Sequence, residues 1–566
     1  MNQPMKLADL PALHPDAVRI LPLGGLGEIG LNLLVVESRG AIVLVDCGLM
    51  FPEAYMLGID LVVPDISALA GRSADIKALL LTHGHEDHIG AIPFLLRELG
   101  NPPVYGTALT LGLLRSKLEE HGLASLARLE TVRPRDSIEL APFQVEFFRV
   151  AHSIVDGCGL ALRTPAGLIV HTGDFKLDPT PVDGQTTDLG RLAAYGEEGV
   201  LLLLADSTNV ERPGQTLSER TVGEAFHELV PRSSGMVFVA TFSSNIHRIQ
   251  QICDAAGAAG RQVLVSGRSM VGNIAIARQL GYLRVPDDLF IDLRRMRELP
   301  REQVLVLTTG SQGEPLSSLT RIAMADHKQL ELLPGDTVIL SAKFIPGNER
   351  AITAMINHLC RRGAEVHYET TSEIHVSGHA SQEELKTVHS LIRPHYFVPV
   401  HGEYRHLAQH ARLARSMGMP AERVLVIENG QPLVLSPNGH RLEARVETGR
   451  VFIDGKGIGD IGEIELRDRR HLANHGLVLV FLALNQSTGE IVAGPEIVTR
   501  GFVPEAEGQP LLDAARDLVR STLAEHSREA VAGWEELRVE VRKALQRFFN
   551  RTMERRPLIL PFIMEL

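Results

Sequence analysis

Residues 77–90 read Lys77-Ala78-Leu79-Leu80-Leu81-Thr82-His83-Gly84-His85-Glu86-Asp87-His88-Ile89-Gly90, followed by Ala91-Ile92-Pro93-Phe94-Leu95-Leu96. The opening apolar run suits a buried strand, Gly84 and its polar neighbours a tight loop, and the stretch from Ile89 an amphipathic helix. His83, His85, Asp87 and His88 put metal-ligating side chains close together. On a helix, offsets of two, four and five would scatter them around the axis. In a loop at a strand end they turn toward one point. Imidazole suits zinc and manganese-like ions, and carboxylate suits harder cations. A polar loop rich in histidine by chance is the competing reading, and the spacing His-x-His-x-Asp-His is too specific for it.

Upstream, residues 18–47 read as strands separated by glycine turns, which predicts antiparallel pairing. They contain Gly25-Leu26-Gly27-Glu28-Ile29-Gly30, formally the glycine pattern of a dinucleotide site. That pattern needs a helix after the glycines, and Leu31-Asn32-Leu33-Leu34-Val35-Val36 reads as a strand, so it is taken as a turn in a sheet. Downstream, QVEFFRVAH, GLIVHTGD and VLLLLADST read as strands ending near His152, Asp174 and Asp206. Residues 220–367 alternate strand and helix, the mark of a parallel sheet flanked by helices. A histidine-rich loop at 373–379, a strand HYFVPVHGE ending near His401, a helix near 405–417 and a hairpin over 423–436 follow. The glycine-rich, then charged stretch 451–470 is expected to be a linker. Residues 471–566 form a last unit of two strands, helices over about 511–554 and a terminal strand.

The 566 residues, 44% of them hydrophobic, suit a globular chain of several domains. No apolar run reaches the ~18 residues of a membrane span. The N-terminal residues lack the pattern of a secretory signal, and Cys47, Cys158, Cys253 and Cys360 form no paired motif. A reducing cytoplasm is the expected setting. The net charge of −12 speaks against a nucleic-acid partner, unless cations, metal ions included, gather in one groove.

The metal motif resembles the signature of the metallo-β-lactamase superfamily, and the resemblance extends in order along the chain to Asp46, His152 and Asp174. It implies an αββα sandwich in which His83, His85 and His152 hold one metal, Asp87 and His88 a second, and Asp174 bridges. Asp46 orients a ligand or the loop. Two metals about 3.5–4 Å apart suit phosphodiester hydrolysis. The long α/β insertion, with Asp206, His379 in HVSGHAS and His401 in FVPVHGE, resembles the β-CASP group of nucleic-acid processing enzymes. In that group the last histidine completes the second metal site, and an Asp206–His379 pair assists proton transfer.

GGLGEIGLN, FPEAYMLGIDLVVPD, TFSSNIHR and TGSQGEP further resemble segments of the ribonuclease J family. The family implies an α/β chain: a metallo-β-lactamase domain over 1–216 and 368–450, a β-CASP domain over 217–367, a linker over 451–470 and a small α+β C-terminal domain over 471–566. It implies two divalent ions, zinc first and manganese chemically close. The substrate is then single-stranded RNA, degraded from the 5′ end and also cut internally. A homodimer or tetramer is implied as well. His375, Val376, Ser377, Gly378 and His379 are expected at RNA phosphates, with His375 as a charged donor against its plainer reading as a buried loop residue. Ser244 and Asn245 open a helix whose free N–H groups suit an anion, unless they only cap it. Asp454 offers an oxygen to a structural calcium ion, against the plainer reading of a turn aspartate. His389, His395, His406 and His410 are taken as packing or surface histidines. The rivals are another β-CASP nuclease (an RNA 3′-end endonuclease or a DNA-repair nuclease), a non-catalytic RNA-binding scaffold and a small-molecule hydrolase such as a lactonase. A scaffold should have lost ligands, and the large insertion argues against a lactonase.

Overall fold

A computed structural model describes residues 5–566 except 54, 315, 345–347, 370–371, 456, 486–487, 489, 504–507 and 527–533. The chain divides into two compact units, Met1–Phe51 with Leu61–Val451, and Pro52–Asp60 with Phe452–Leu566.

The first unit is built on two facing sheets. One has eight strands, with Val18–Gly24, Leu33–Ser38, Ala41–Val45 and Ile76–Leu80 adjacent at its centre. The expected antiparallel pairing of the first three is present. The other has six strands, among them Phe143–Arg149, Cys158–Thr164, Gly167–His171, Val200–Asp206 and Tyr396–Val400. Alternate residues of a strand face one side. Val18, Ile20, Val43, Val45, Ala78 and Leu80 therefore meet Val145, Phe147, Leu160, Leu162, Leu202, Leu204 and Val398 in one dry layer. On the outer face of the second sheet, Leu203, Ala205 and Phe397 pack against helices Leu189–Glu198, Gln382–Ile392 and Tyr404–Ser416. Burial on both faces explains why Val200–Asp206 and Tyr396–Val400 read as continuous apolar runs.

Between Asp206 and the return at Tyr396 the chain builds a third sheet. Its strands Gln262–Ser266, Val304–Thr308, Val237–Ala240, Thr337–Leu340 and Glu365–His367 pair in parallel, as the strand–helix alternation predicts. The second unit folds Leu477–Leu484, Ile491–Arg500 and Leu558–Glu565 into a sheet covered by helices Gln509–His526 and Trp534–Met553. No described helix is long and apolar enough to cross a membrane.

The local structure departs from expectation in three places. Glu86–Ile89 is a helical turn, not loop, so Asp87 and His88 project from its first residues while His83 and His85 precede it. The expected hairpin over 423–436 lies instead at Leu433–Ser436 and Gly439–Leu442, closed by Gly439 at φ 110°. Val424 bridges Phe397 in the other sheet instead. The stretch expected as a linker carries strands Arg450–Asp454 and Gly457–Ile458 and most of helix Glu463–His475. That helix buries only Leu466, so its charged sequence shows no apolar stripe to read.

Candidate metal centre

The candidate ligands sit at the ends of strands that run parallel where they matter, so their tips open onto one edge. Ala41–Val45 and Ile76–Leu80 are parallel neighbours and deliver Asp46 and the His83–His88 segment. Gly167–His171, Val200–Asp206 and Tyr396–Val400 are parallel neighbours and deliver Asp174, Asp206 and His401. His152 follows Phe143–Arg149, and His379 arrives on the loop returning from the insertion.

Two donor sets result. His83 Nε2 lies 3.0 Å from His85 Nδ1, and His152 Nε2 lies 3.2 Å from the same atom. Asp87, His88, Asp174 and His401 form the second set. Asp174 Oδ2 is 3.2 Å from His88 Nε2 and 3.4 Å from His401 Nε2, and Asp87 Oδ2 is 3.3 Å from His401 Nε2. Ligands at about 2.0–2.1 Å from a tetrahedral ion would stand roughly 3.3 Å apart. Three ring nitrogens facing one another at hydrogen-bond distance call for a cation between them. The donor set fits a borderline-soft divalent ion.

The outer nitrogens of four of these rings are held so that Nε2 is left as the ligand atom. Thr82 Oγ1 donates to Asp46 Oδ2 at 2.8 Å and receives His83 Nδ1 at 3.0 Å. His88 Nδ1 donates to Asp46 Oδ2 at 2.7 Å. His152 Nδ1 donates to the Gly378 carbonyl at 2.7 Å. His401 Nδ1 donates to Thr208 Oγ1 at 2.7 Å. Such outer partners fix tautomer and ring orientation. Asp46 was expected in this role; Thr82, Thr208 and the Gly378 carbonyl were not, and Thr82 and Thr208 had only their place beside a ligand or Asp206 to mark them. Asp46 and His401 both adopt left-handed backbone, at φ 58° and 55°, a strained choice for non-glycine residues that dense bonding around them maintains.

His379 Nδ1 meets Asp206 Oδ2 at 2.7 Å, and Asp206 is 1% exposed. Burial opposes charge on His379, but the Asp206 carboxylate outweighs it and raises the pKa above the usual imidazole value. Burial and neighbouring histidines push His83 and His152 down, and burial takes His85 down to about 4. Burial also opposes charge on His88 and His401, yet Asp174 and the other nearby carboxylates hold both well above it.

The loop at 375–379 is tied on both sides. His375 Nδ1 lies 3.0 Å from Arg248 Nη1 on the insertion, and Asn209 Nδ2 donates to the His379 carbonyl at 3.0 Å. His375 is therefore an acceptor: burial and the Arg248 guanidinium push it well below its usual pKa, which corrects the expectation of a charged donor. Val376 is buried and can offer only its backbone. Ser377 Oγ accepts from His379 N at 3.2 Å. A Cβ on Gly378 would stand 2.7 Å from the His152 ring, so only glycine lets the loop reach that ligand.

Asn245 accepts from Arg248 N at 3.0 Å as the cap of helix Ile246–Ala258. The N–H groups of Asn245 and Ile246 are bonded to Phe242 O and Ser244 O. The capping reading of Asn245 therefore holds, and the expected free donors at those two residues are already filled. Asp454 is paired with the Arg469 guanidinium, so the cation at that carboxylate is an arginine of the same unit.

The comparisons with known proteins agree with this architecture. Residues 27–191 match the metallo-beta-lactamase superfamily, and 234–359 match the ribonuclease J beta-CASP domain. Residues 363–426 match the Zn-dependent metallo-hydrolase RNA specificity domain, and 464–566 the ribonuclease J C-terminal domain. Ribonuclease J2 of Bacillus subtilis is 44% identical over 98% of this chain and 99% of its own length. Ribonuclease J of Thermus thermophilus is 46% identical over 97% and 96%. A protein of unknown function from Enterococcus faecalis aligns with a TM-score of 0.53 at 17% identity, covering 74% of this chain and 100% of its own, a likeness of fold alone. Matched along nearly its whole length, the chain belongs to the ribonuclease J family and is a metal-dependent hydrolytic nuclease acting on RNA.

Proposed function

We propose that two divalent ions are held side by side, the first by His83, His85 and His152 and the second by Asp87, His88 and His401, with Asp174 between them. One observation carries this reading. Asp174 Oδ2 lies 3.8 and 3.9 Å from His83 Nε2 and His152 Nε2, and also within 3.4 Å of both imidazoles of the second set. Zinc fits the histidine-rich donors, with manganese the close alternative. Ions bound there would supply Lewis acidity for phosphodiester hydrolysis. Asp46 orients His88 and, through Thr82, His83. Asp206 keeps the His379 imidazolium charged through Nδ1, and that ring gives a proton to the leaving oxygen from Nε2.

The substrate is single-stranded RNA, degraded from its 5′ end and also cut internally. A terminal phosphate is received by the 375–379 loop, through Ser377 and the backbone beside Gly378, with Ser244 across from it. The meeting of Arg248 with His375 supports this pairing of segments, because Arg248 stands on the helix that Asn245 caps. The protein acts in the cytoplasm as a homodimer or tetramer that residues 471–566 support. Every metal and proton-transfer candidate lies outside that stretch, so its deletion should leave the catalytic residues in place and weaken self-association; an unchanged oligomeric state in sedimentation would refute this. No calcium role is assigned to Asp454.

The deciding experiment offers one RNA with 5′-hydroxyl, 5′-monophosphate or 5′-triphosphate ends, with and without chelator, to wild type and Ser377→Ala. Mononucleotide release that prefers the monophosphate, is lost with chelator and is weakened in the variant is expected. Equal rates on all three ends without mononucleotides would leave internal cleavage alone.

A further inference from the structure

Behind Asp206 and His401, on the helix-covered face of the second sheet, lies a second group of histidines. Ser207 follows Asp206 and is fully buried. Its N–H donates to the His401 carbonyl at 3.3 Å, and its hydroxyl lies 3.0 Å from His410 Nδ1. His410, itself 0% exposed, meets His389 with Nε2 to Nε2 at 3.2 Å. Both rings pack edge-on against Phe397. The two histidines project from helices Gln382–Ile392 and Tyr404–Ser416 into a layer otherwise made of Leu385, Val388, Ile392, Phe397, Ala411 and Ala414.

A pair of imidazoles in such a layer is costly. Burying polar rings is unfavourable unless each hydrogen bond is made. Burial keeps both neutral, His389 down to about 4 and His410 well below its usual value. A neutral imidazole has one N–H and one acceptor nitrogen. The chain Ser207–His410–His389 then leaves both His410 nitrogens and the Ser207 hydroxyl satisfied: His389 Nε2 donates to His410 Nε2, His410 Nδ1 donates to Ser207, and the Ser207 hydroxyl donates to Ala205 O at 3.3 Å. Leucines would fill the same space without this constraint. What they would not do is hold Ser207.

Ser207 and Thr208 together grip the left-handed backbone of His401. Thr208 Oγ1 also bonds the His401 carbonyl at 3.2 Å, and the Thr208 N–H fixes Asp206 Oδ1 at 2.9 Å. The two residues that link the second donor set to the proton-transfer pair are thus seated on one dipeptide, braced from behind by His410.

We infer that His410, backed by His389, is a positioning residue that acts through Ser207 to hold Asp206 and His401 in register. It touches neither RNA nor metal. The inference rests on the roles given above to Asp206 and His401.

The test compares His410→Leu, His410→Asn, Ser207→Ala and the Ser207→Ala/His410→Leu double variant. Thermal midpoint, affinity for added zinc by chelator competition, and kcat and KM on single-stranded RNA are measured for each. Supporting partners of metal ligands typically contribute about 10- to 100-fold to metal affinity or activity. His410→Leu should keep the thermal midpoint, lose affinity for one of two zinc ions or lose kcat by about that factor, and leave KM unchanged. His410→Asn, whose amide can stand in for the Nδ1 donor, should recover most of the loss. Ser207→Ala should match His410→Leu, and the double variant should be no worse than either, because the two act as one unit. Additive losses in the double variant, or wild-type zinc affinity and kcat in both single variants, would overturn the inference. Should His410→Leu not fold, Ser207→Ala decides alone: wild-type zinc affinity and kcat would overturn it. A control with Asp206→Asn separates the foundations: full activity there would remove the proton-transfer reading itself, whatever His410 does.

Discussion

In the first donor set three imidazoles face one another, with the Asp174 carboxylate 3.8 and 3.9 Å from two of them; in the second, His88 and His401 alternate with Asp87 and Asp174, and Asp206 stands beside His401. The same residue type meets opposite fates. Burial and like-charged neighbours strip protons from His83 and His152, while carboxylates keep them on His88 and His401. Without metal, the second set is balanced internally by protons, and the first is a set of lone pairs awaiting a cation. Loading the first ion then displaces few protons, and loading the second displaces up to two, those of His88 and His401.

The largest expected effect comes from the atom the two sets share. Asp174→Ala should abolish cleavage to background and lower the content of both ions in elemental analysis, while circular dichroism stays native because the sheets bury their own core. Cleavage near the parental rate with both ions present would dissolve the comparison. Next is the divide between holding metal and moving protons. His379→Ala should lower turnover by about 10²–10⁴-fold with both ions retained, whereas His401→Ala should lose one ion. Identical metal loss in the two would merge the roles.

The pH dependence sharpens the contrast. In the second set the imidazole pKa values are raised, so protons compete with the metal up to those values and affinity rises with pH, by up to about tenfold per unit for each proton displaced. In the first set they are lowered, with His85 at about 4. There affinity should stay flat across neutral pH and fall only in acid. Calorimetric titration of metal-free protein at several pH values reads this directly, and parallel slopes for the two ions would refute it. The smallest effect tests whether the sets can be disturbed singly. Gly378→Ala presses a methyl on the His152 ring and Ser153 Oγ, each 2.7 Å away. It should weaken the first ion by about tenfold and spare the second.

Parts of this site were legible because they depend on residue type and local pattern. The strand-end positions of Asp46, His152, Asp174, Asp206 and His401 followed from apolar runs ending in polar residues; four of them lie where two parallel strand groups open, and His152 follows the antiparallel strand Phe143–Arg149. Other parts were not. His410 reads as one polar residue on the buried face of an amphipathic helix, and nothing within 404–416 says that Ser207 lies against it. The turn at Glu86–Ile89 is too short to show periodicity. The charge state expected of His375 failed because the ring is buried and Arg248, 127 residues away, donates to its nitrogen.

By itself the sequence determined the chemistry on offer: imidazoles and carboxylates at strand ends, a dry two-sheet core, a parallel insertion and membership of a recognisable family. These follow from side-chain type and from periods of two and 3.6, which every segment carries alone. Only the tertiary structure decided which nitrogen of each ring faces inward, which histidines are charged, and which carboxylates are already taken, as Asp454 is by Arg469. The reason is physical. A hydrogen bond or an ion pair is a property of two groups at a distance. Here the partners, Asp46 with His88, His152 with Gly378 and Asp206 with His379, stand 42, 226 and 173 residues apart.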